Sequence, residues 1–298
     1  MDIGTPSLLV ASTLLFIWGV AVTPLSIILS NRYRIVDLPG GRKTHSSVTP
    51  RGAGIVLWLG FLLWSLYAVT EASTFRALAF GGTLVFLSGY WDDMRTLKPG
   101  VRLLFHAAAS GIFLIALPGF PLRHWPVCLL WVAGMINAFN LVDGVNGLCL
   151  SVFIASSLAL SAFGFAGAFA PVAALAAGVL PWNFPRAKTF LGDGGTTLLG
   201  FLYSTLFICS TVDFIDGVPV LELPFYLFLI GGIPAADTLF AIMRRSMKGR
   251  SPFSPDRGHI HHRLMDRGWG QVSTVVFLST AHLLLLAGGL FFLGRYIL

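Results

Sequence analysis

Charge is scarce in this chain. Asp, Glu, Lys and Arg make up only 11% of its 298 residues, against 55% hydrophobic residues and a mean hydropathy of +0.80. That balance excludes an ordinary soluble domain. Cysteine is nearly absent: Cys128, Cys149 and Cys209 stand singly in apolar stretches. No two of them have disulfide or zinc spacing, so they read as buried thiols. Internal repeats, low-complexity tracts and long polar linkers are missing as well. The longest loop between apolar stretches, 244–271, has 28 residues, too few for an independent nucleotide-binding domain. Any site must therefore be assembled from helix ends and short loops. The first apolar stretch has no basic residue before it and no small-residue cleavage pattern after it, so no cleavable signal peptide is expected.

What the chain does have is long apolar runs. Stretches without Asp, Glu, Lys or Arg cover 3–31, 52–70, 77–91, 103–122, 124–142, 144–185, 194–212, 223–236 and 268–294. A spanning helix needs about 20 apolar residues. The 42-residue stretch 144–185 then holds two spans that turn near Gly164–Pro171, and 223–236 suffices only if Asp237 lies inside a helix running on to Met243. The expectation is an all-α polytopic membrane protein of about ten transmembrane helices, residues 1–298 forming a single membrane-embedded domain. Ten spans place the loops 30–52, 92–102, 143–148, 183–195 and 244–271 on one side, with 17 of the 20 Lys and Arg residues. The positive-inside rule makes that side cytoplasmic and puts both termini outside. Most of the +7 net charge is thus topology and no sign of nucleic acid.

The few ionisable groups gather on that same side. Such groups at a membrane border are expensive and mark function by default. Asp92-Asp93 ends the third span; two adjacent carboxylates stay ionised only beside a cation, either Arg95 and Lys98 at a solvated helix end or a Mg²⁺ ion beside a general base. Asn137, Asn140 and Asp143, spaced i, i+3, i+6, fall within an arc of about 120° on a helix. That stripe serves either interhelical hydrogen bonding or recognition of sugar hydroxyls and a uracil edge. Asp193 sits among Gly192, Gly194 and Gly195, in a turn or an anion nest; no Lys follows, which excludes a Walker loop. His259, His261 and His262 follow Asp256-Arg257; if the segment is extended, His259 and His261 point the same way. They lack further zinc ligands and suit donation to a diphosphate, with Arg257 and Arg263 adding charge. Arg102 and His106, one turn apart, read as a phosphate grip or a snorkelling anchor.

Together these runs, in this order from Arg42-Lys43-Thr44-His45 to His262, resemble the polyprenyl-phosphate N-acetylhexosamine-1-phosphate transferase family. That family includes undecaprenyl-phosphate GlcNAc-1-phosphate transferases and the phospho-N-acetylmuramoyl-pentapeptide transferase. The form Asp256-Arg-Gly-His259-Ile-His261-His262 is similar to the hexosamine branch. The resemblance implies a Mg²⁺-dependent phosphoglycosyltransferase with a cytoplasmic active site in the bacterial inner membrane, Mn²⁺ being a substitute ion. It implies undecaprenyl phosphate and a UDP-N-acetylhexosamine as partners, no nucleic acid, and a homodimer as an allowed assembly. The implied reaction gives undecaprenyl-diphosphate-HexNAc and UMP, the first step of a surface glycan such as O-antigen.

Carried onto this sequence, Asp92, Asp93 and His259 are the catalytic candidates, and Asp193 with Asp93 the metal ligands. Asn137, Asn140, Asp143, Arg257, His259, His261 and His262 are candidates for the nucleotide sugar, and Arg102, Lys43 and His45 for the lipid phosphate. Three departures stand out: Asn146 where a second Asp is general, Thr196 for Ser, and Arg102 and His106 where some members have Lys and Gln. An ion-coupled transporter is the rival from another class, with Asp237 as the acid deepest in a span. A membrane scaffold would bind no nucleotide.

Overall fold

The structure, a computed structural model, describes residues 5–38, 48–67, 72–252, 254 and 256–297. In hydrocarbon a backbone must bond its own polar groups, and an apolar chain does this as helices. These are α1 (Thr5–Arg32), α2 (Ala53–Tyr67), α3 (Ala72–Met94), α4 (Pro99–Ala116), α5 (Trp125–Val142) and α6 (Leu148–Leu160). They continue as α7 (Ala166–Asn183), α8 (Gly192–Ser210), α9 (Val212–Gly217), α10 (Leu223–Met247), α11 (Ile260–Met265) and α12 (Gln271–Ile297). Among the described residues, six segments are long and apolar enough to cross a membrane: Ser7–Arg32, Pro99–Ala116, Leu122–Val142, Leu148–Asn183, Leu223–Met247 and Gln271–Gly294. Helices α2, α3 and α8 fall outside that set. The segment Leu148–Asn183 breaks at Gly164, whose φ is 112°, and α6 and α7 on either side lie against each other. The sequence reading places its turn there.

Helix α8 is the axis of the bundle. It packs on α3, α5 and α2, and every residue from Gly194 to Ile208 is buried. Its hydroxyls turn back onto the helix: Thr197 Oγ1 donates to Asp193 O at 2.6 Å and Thr205 Oγ1 to Phe201 O at 2.6 Å. A helix with this many Ser and Thr thereby sits inside an apolar bundle at no cost in unpaired groups. Around it α1 packs on α7, α3 on α4, and α12 on both α6 and α10. The outer face is the reverse of a soluble protein's. Leu66, Ile115, Leu130 and Phe291 are 76%, 72%, 71% and 80% exposed, an apolar surface of the kind lipid covers.

Two details position the site. Val36–Asp37 and Thr49–Pro50 form an antiparallel pair, Val36 opposite Pro50, the only strands among the described residues and absent from the all-α expectation. They deliver Arg51 to the end of α3. Helix α10 bends at Gly232 (φ 52°, ψ −137°) and then runs on past a buried Asp237 to Met247.

Candidate active site

The four acidic positions singled out in the sequence come from α3, α5 and α8 and meet at one end of the bundle. Asp92 and Asp93 close α3. Asp93 Oδ1 accepts from Arg51 Nη1 at 2.7 Å, and its Oδ2 accepts from Gly194 N at 3.4 Å. Arg51 also holds Asp37 at 2.7 Å through Nη2. Asp92 Oδ1 accepts from Leu97 N at 2.5 Å and its Oδ2 from Arg102 Nη1 at 2.7 Å. The same Arg102 nitrogen stands 3.3 Å from Asp193 Oδ2. Asp193 opens α8, in the first turn, where unpaired N–H groups favour an anion. Gly192 before it has a φ of 67°, and a Cβ there would strike Asp93 Oδ2, so glycine lets the two acids approach.

Asn140 closes this ring from α5. With Oδ1 turned to Arg102 its donors and acceptors are all matched: Arg102 Nη2 donates to Oδ1 at 2.5 Å, while Nδ2 donates to Asp193 Oδ1 at 3.3 Å and to Thr196 Oγ1 at 2.7 Å. Asn137, one turn deeper, is used differently. Its Nδ2 contacts His106 Nδ1 at 3.0 Å and Ala133 O at 2.8 Å, linking α5 to α4. Asp143 lies just past the end of α5 and has no hydrogen-bond or ion-pair partner among the described residues. Burial pushes its carboxyl well above the usual carboxylate range, and nearby Asp193 and Asp93 push it further.

The exposures divide these acids by task. The Asp92 and Asp93 side chains are 8% and 6% exposed and both are held by guanidinium groups, whereas that of Asp193 is 33% exposed. Among the described residues no three His, Cys, Asp or Glu side chains form a ready-made metal cluster. The donor chemistry nonetheless fits Mg²⁺. That ion is usually held by one or two carboxylates with water and substrate phosphates completing its shell. Here an open Asp193 and an unpartnered Asp143, mutually repulsive, offer hard oxygens of that kind.

The histidine run closes the other side. His259 is extended, but α11 begins at the next residue, so the condition of an extended segment through His261 is not met. The rings of His259 and His261 still lie parallel, 5.8 Å apart. His259 Nδ1 donates to Asp237 Oδ2 at 2.9 Å, and Asp237 Oδ1 accepts from Ile260 N at 3.1 Å. Arg245 Nη2 lies 3.4 Å from His259 Nε2. His261 packs its ring on the Cα of Gly144, where a Cβ would overlap Nε2, and that nitrogen has no hydrogen-bond partner among the described residues. Burial, then the neighbouring imidazoles of His262 and His259, lowers its pKa to about 3; burial and Arg257 lower that of His262. Both rings are therefore neutral at pH 7 and offer N–H and N: together. Arg257 meets Asp266 at 3.9 Å on the surface, near His262. Asn146 reaches Gln271 Oε1 at 3.5 Å. Lys43 and His45 lie outside the described residues.

Sequence reasoning passed over Arg51 and the partners of the histidine loop. Arg244 and Arg245 clamp Asp256, and Arg245 Nη1 also donates to Pro252 O at 2.5 Å. Their signal is present as Asp237 and Arg245, two turns apart on one side of the same helix. Arg51→Ala leaves the buried Asp93 with only the backbone N–H groups of Asp193 and Gly194. It is expected to lower stability by about 2 kcal/mol, less than a fully buried pair because Arg51 is partly exposed. Thermal unfolding in detergent measures this, and adding Asp93→Asn should recover part of the loss; equal melting of Arg51→Ala and wild type would show that the pair is idle.

Comparison with known proteins fits this geometry. Residues 75–211, which hold Asp92, Asp93, Asn140, Asp143 and Asp193, match Glycosyl transferase family 4. The chain is 31% identical over 268 residues to the undecaprenyl-phosphate alpha-N-acetylglucosaminyl 1-phosphate transferase of Thermotoga maritima, covering 88% of this chain and 84% of that one. It is 31% identical over 296 residues to the enzyme of that name from Escherichia coli, covering 88% and 77%. It is 29% identical over 269 residues to a probable undecaprenyl-phosphate N-acetylglucosaminyl 1-phosphate transferase of Bacillus subtilis, covering 83% and 74%. Similarity over most of both chains at this level, with the acid cluster inside the matched segment, makes the chain a member of the polyprenyl-phosphate N-acetylhexosamine-1-phosphate transferase family, and so a glycosyl-1-phosphate transferase.

Proposed function

We propose that this enzyme transfers HexNAc-1-phosphate from a UDP-N-acetylhexosamine to undecaprenyl phosphate, giving undecaprenyl-diphosphate-HexNAc and UMP. The observation that carries the reading is the convergence of Asp92, Asp93 and Asp193 on two guanidinium groups at one end of the bundle, with Asp143 close enough to feel Asp93 and Asp193. A site with alternating fixed charges of both signs suits a diphosphate and its counter-ion. In a ten-crossing topology, 17 of the 20 Lys and Arg residues fall on the loops of one side, which supports a cytoplasmic placement of that side in the inner membrane and both termini outside.

A lipid phosphate oxygen attacks the β-phosphorus of the nucleotide sugar, and the bond to the UMP oxygen breaks. One phosphoanhydride replaces another, so the chain needs no energy source. Its task is alignment and charge neutralisation. Asp193, with Asp143 beside it, would hold Mg²⁺, which supplies charge neutralisation for the diphosphate. Arg102 offers the lipid phosphate a guanidinium already placed between Asp92 and Asp193. Asp92, beside it, receives the proton of a protonated lipid phosphate. Asn140 orients Arg102 and Asp193. The neutral His261, packed on Gly144 after α5, and His262 beside it, with His259 fixed by Asp237, donate to the diphosphate or nucleotide. The product begins a cell-surface glycan such as O-antigen.

The test is purified protein in detergent, undecaprenyl phosphate and a panel of UDP-HexNAc donors, with and without EDTA. UMP release that needs both substrates and stops with EDTA is expected, Mg²⁺ restoring it. UDP-sugar-independent ion uptake into sealed vesicles, with no UMP formed, would replace the transferase by a transporter.

A further inference from the structure

Buried polar groups that the acid cluster does not use meet around the bend of α10. Pro234 has no N–H, so Ile230 O, four residues earlier, lacks its helical partner. Tyr203 of α8 supplies one, its hydroxyl donating to Ile230 O at 2.6 Å. Trp131 Nε1 of α5 donates to Leu227 O at 3.1 Å. Beyond Gly232 the Ile233 N–H donates to His282 Nδ1 of α12 at 3.2 Å. An accepting Nδ1 places the ring proton on Nε2, which donates to Ser156 Oγ at 2.6 Å; that hydroxyl donates to Val152 O at 2.8 Å. His282 and Ser156 are fully buried, and a Cβ at position 232 would strike the imidazole. Irregular backbone at membrane depth persists only where the protein satisfies it. Here three helices each contribute one group to do so.

What lies past the bend explains why it is held. Residues 233–247 carry Asp237, which bonds His259 and Ile260, and Arg244 and Arg245, which clamp Asp256. The direction of this half-helix therefore sets where the histidines stand against Gly144. Trp131 and Tyr203 belong to α5 and α8, the helices that carry Asn140 and Asp193. The bend is thus fixed relative to the acid cluster itself.

We propose that His282 is a positioning residue for the histidine loop: by accepting the Ile233 N–H it fixes the bend of α10 and, through Asp237, the place of His259. The consequence for turnover rests on the reading that His259 serves the transferase site.

Asparagine and glutamine separate the two bonds of the ring. Oδ1 of Asn lies as many bonds from Cα as Nδ1 does, and the Gln amide reaches the place of Nε2. His282→Asn keeps the acceptor for Ile233, His282→Gln keeps the contact to Ser156, and His282→Leu keeps neither. Each is compared with wild type for UMP release and for amide hydrogen exchange over residues 256–265. His282→Asn is expected within about threefold of wild type, and His282→Gln and His282→Leu about tenfold or more below it, the effect of one unpaired buried N–H. KM for the nucleotide sugar should rise and exchange over 256–265 quicken in those two variants only. Three variants falling alike, or lost activity with unchanged exchange, would overturn the proposal. If wild type forms no UMP, the transferase reading fails, while the exchange comparison still decides whether His282 holds the loop.

Discussion

Asp193→Asn lowers UMP release by about a thousandfold, the scale of removing one preorganised charge from a phosphoryl-transfer site. The substitution keeps shape and removes charge. Thr196 and Thr197 bond to the backbone oxygen of Asp193, at 3.2 and 2.6 Å, and so continue to secure the start of α8. The side chain makes no fold-critical contact of its own. It is 33% exposed, and its neighbours Arg102 and Asn140 both have other partners. Folding and extraction should therefore match wild type, checked by gel filtration and thermal unfolding in detergent. Mg²⁺ titrations of UMP release separate the causes: a lost ligand moves the Mg²⁺ dependence, whereas a distorted helix end does not. Turnover within tenfold of wild type would take Asp193 out of the reaction.

The acid cluster was legible in the sequence because its members stand in an apolar chain, where each ionisable group needs a reason. Asp193 stands 100 residues beyond Asp93 in sequence, yet Arg102 touches both Asp193 and Asp92, and Gly194 N touches Asp93. The helical pattern was legible for the same reason, since charge-free runs of this length have one way to satisfy their backbone. Less legible was division of labour within the cluster. Asp93, expected at a metal, already holds Arg51, while Asp143, expected at the nucleotide, is the acid without a partner. Spacing on one helix shows which side chains share a face but not what the next helix brings to them. Asn137 shows this well: it lies on the stripe with Asn140, and α4 places His106 against it. Asp237 shows it most clearly. Depth in a span made it the best argument for an ion relay, and a histidine 22 residues later makes it an orienting carboxylate instead.

Arg102→Ala is expected to cut UMP release at least about a hundredfold, since charge-assisted contacts to two carboxylates vanish together. Arg102 Nη1 serves Asp92 at 2.7 Å and Asp193 at 3.3 Å, and Nη2 serves Asn140 at 2.5 Å. Without it, Arg51 is the one guanidinium left in contact with the four acids among the described residues, and it reaches only Asp93. Arg102→Lys restores the charge but not the fork. One ammonium cannot hold two acids and an amide in these directions, so this variant should remain about tenfold below wild type. The two kinetic constants decide what the group is for. If its role is to receive the lipid phosphate, KM for undecaprenyl phosphate rises in Arg102→Ala while KM for the nucleotide sugar changes little. If it only neutralises Asp92 and Asp193, both KM values stay and kcat alone falls. An unchanged KM for the lipid with an intact kcat would leave Arg102 as an anchor of the α3–α4 turn, and the lipid phosphate would need another cation.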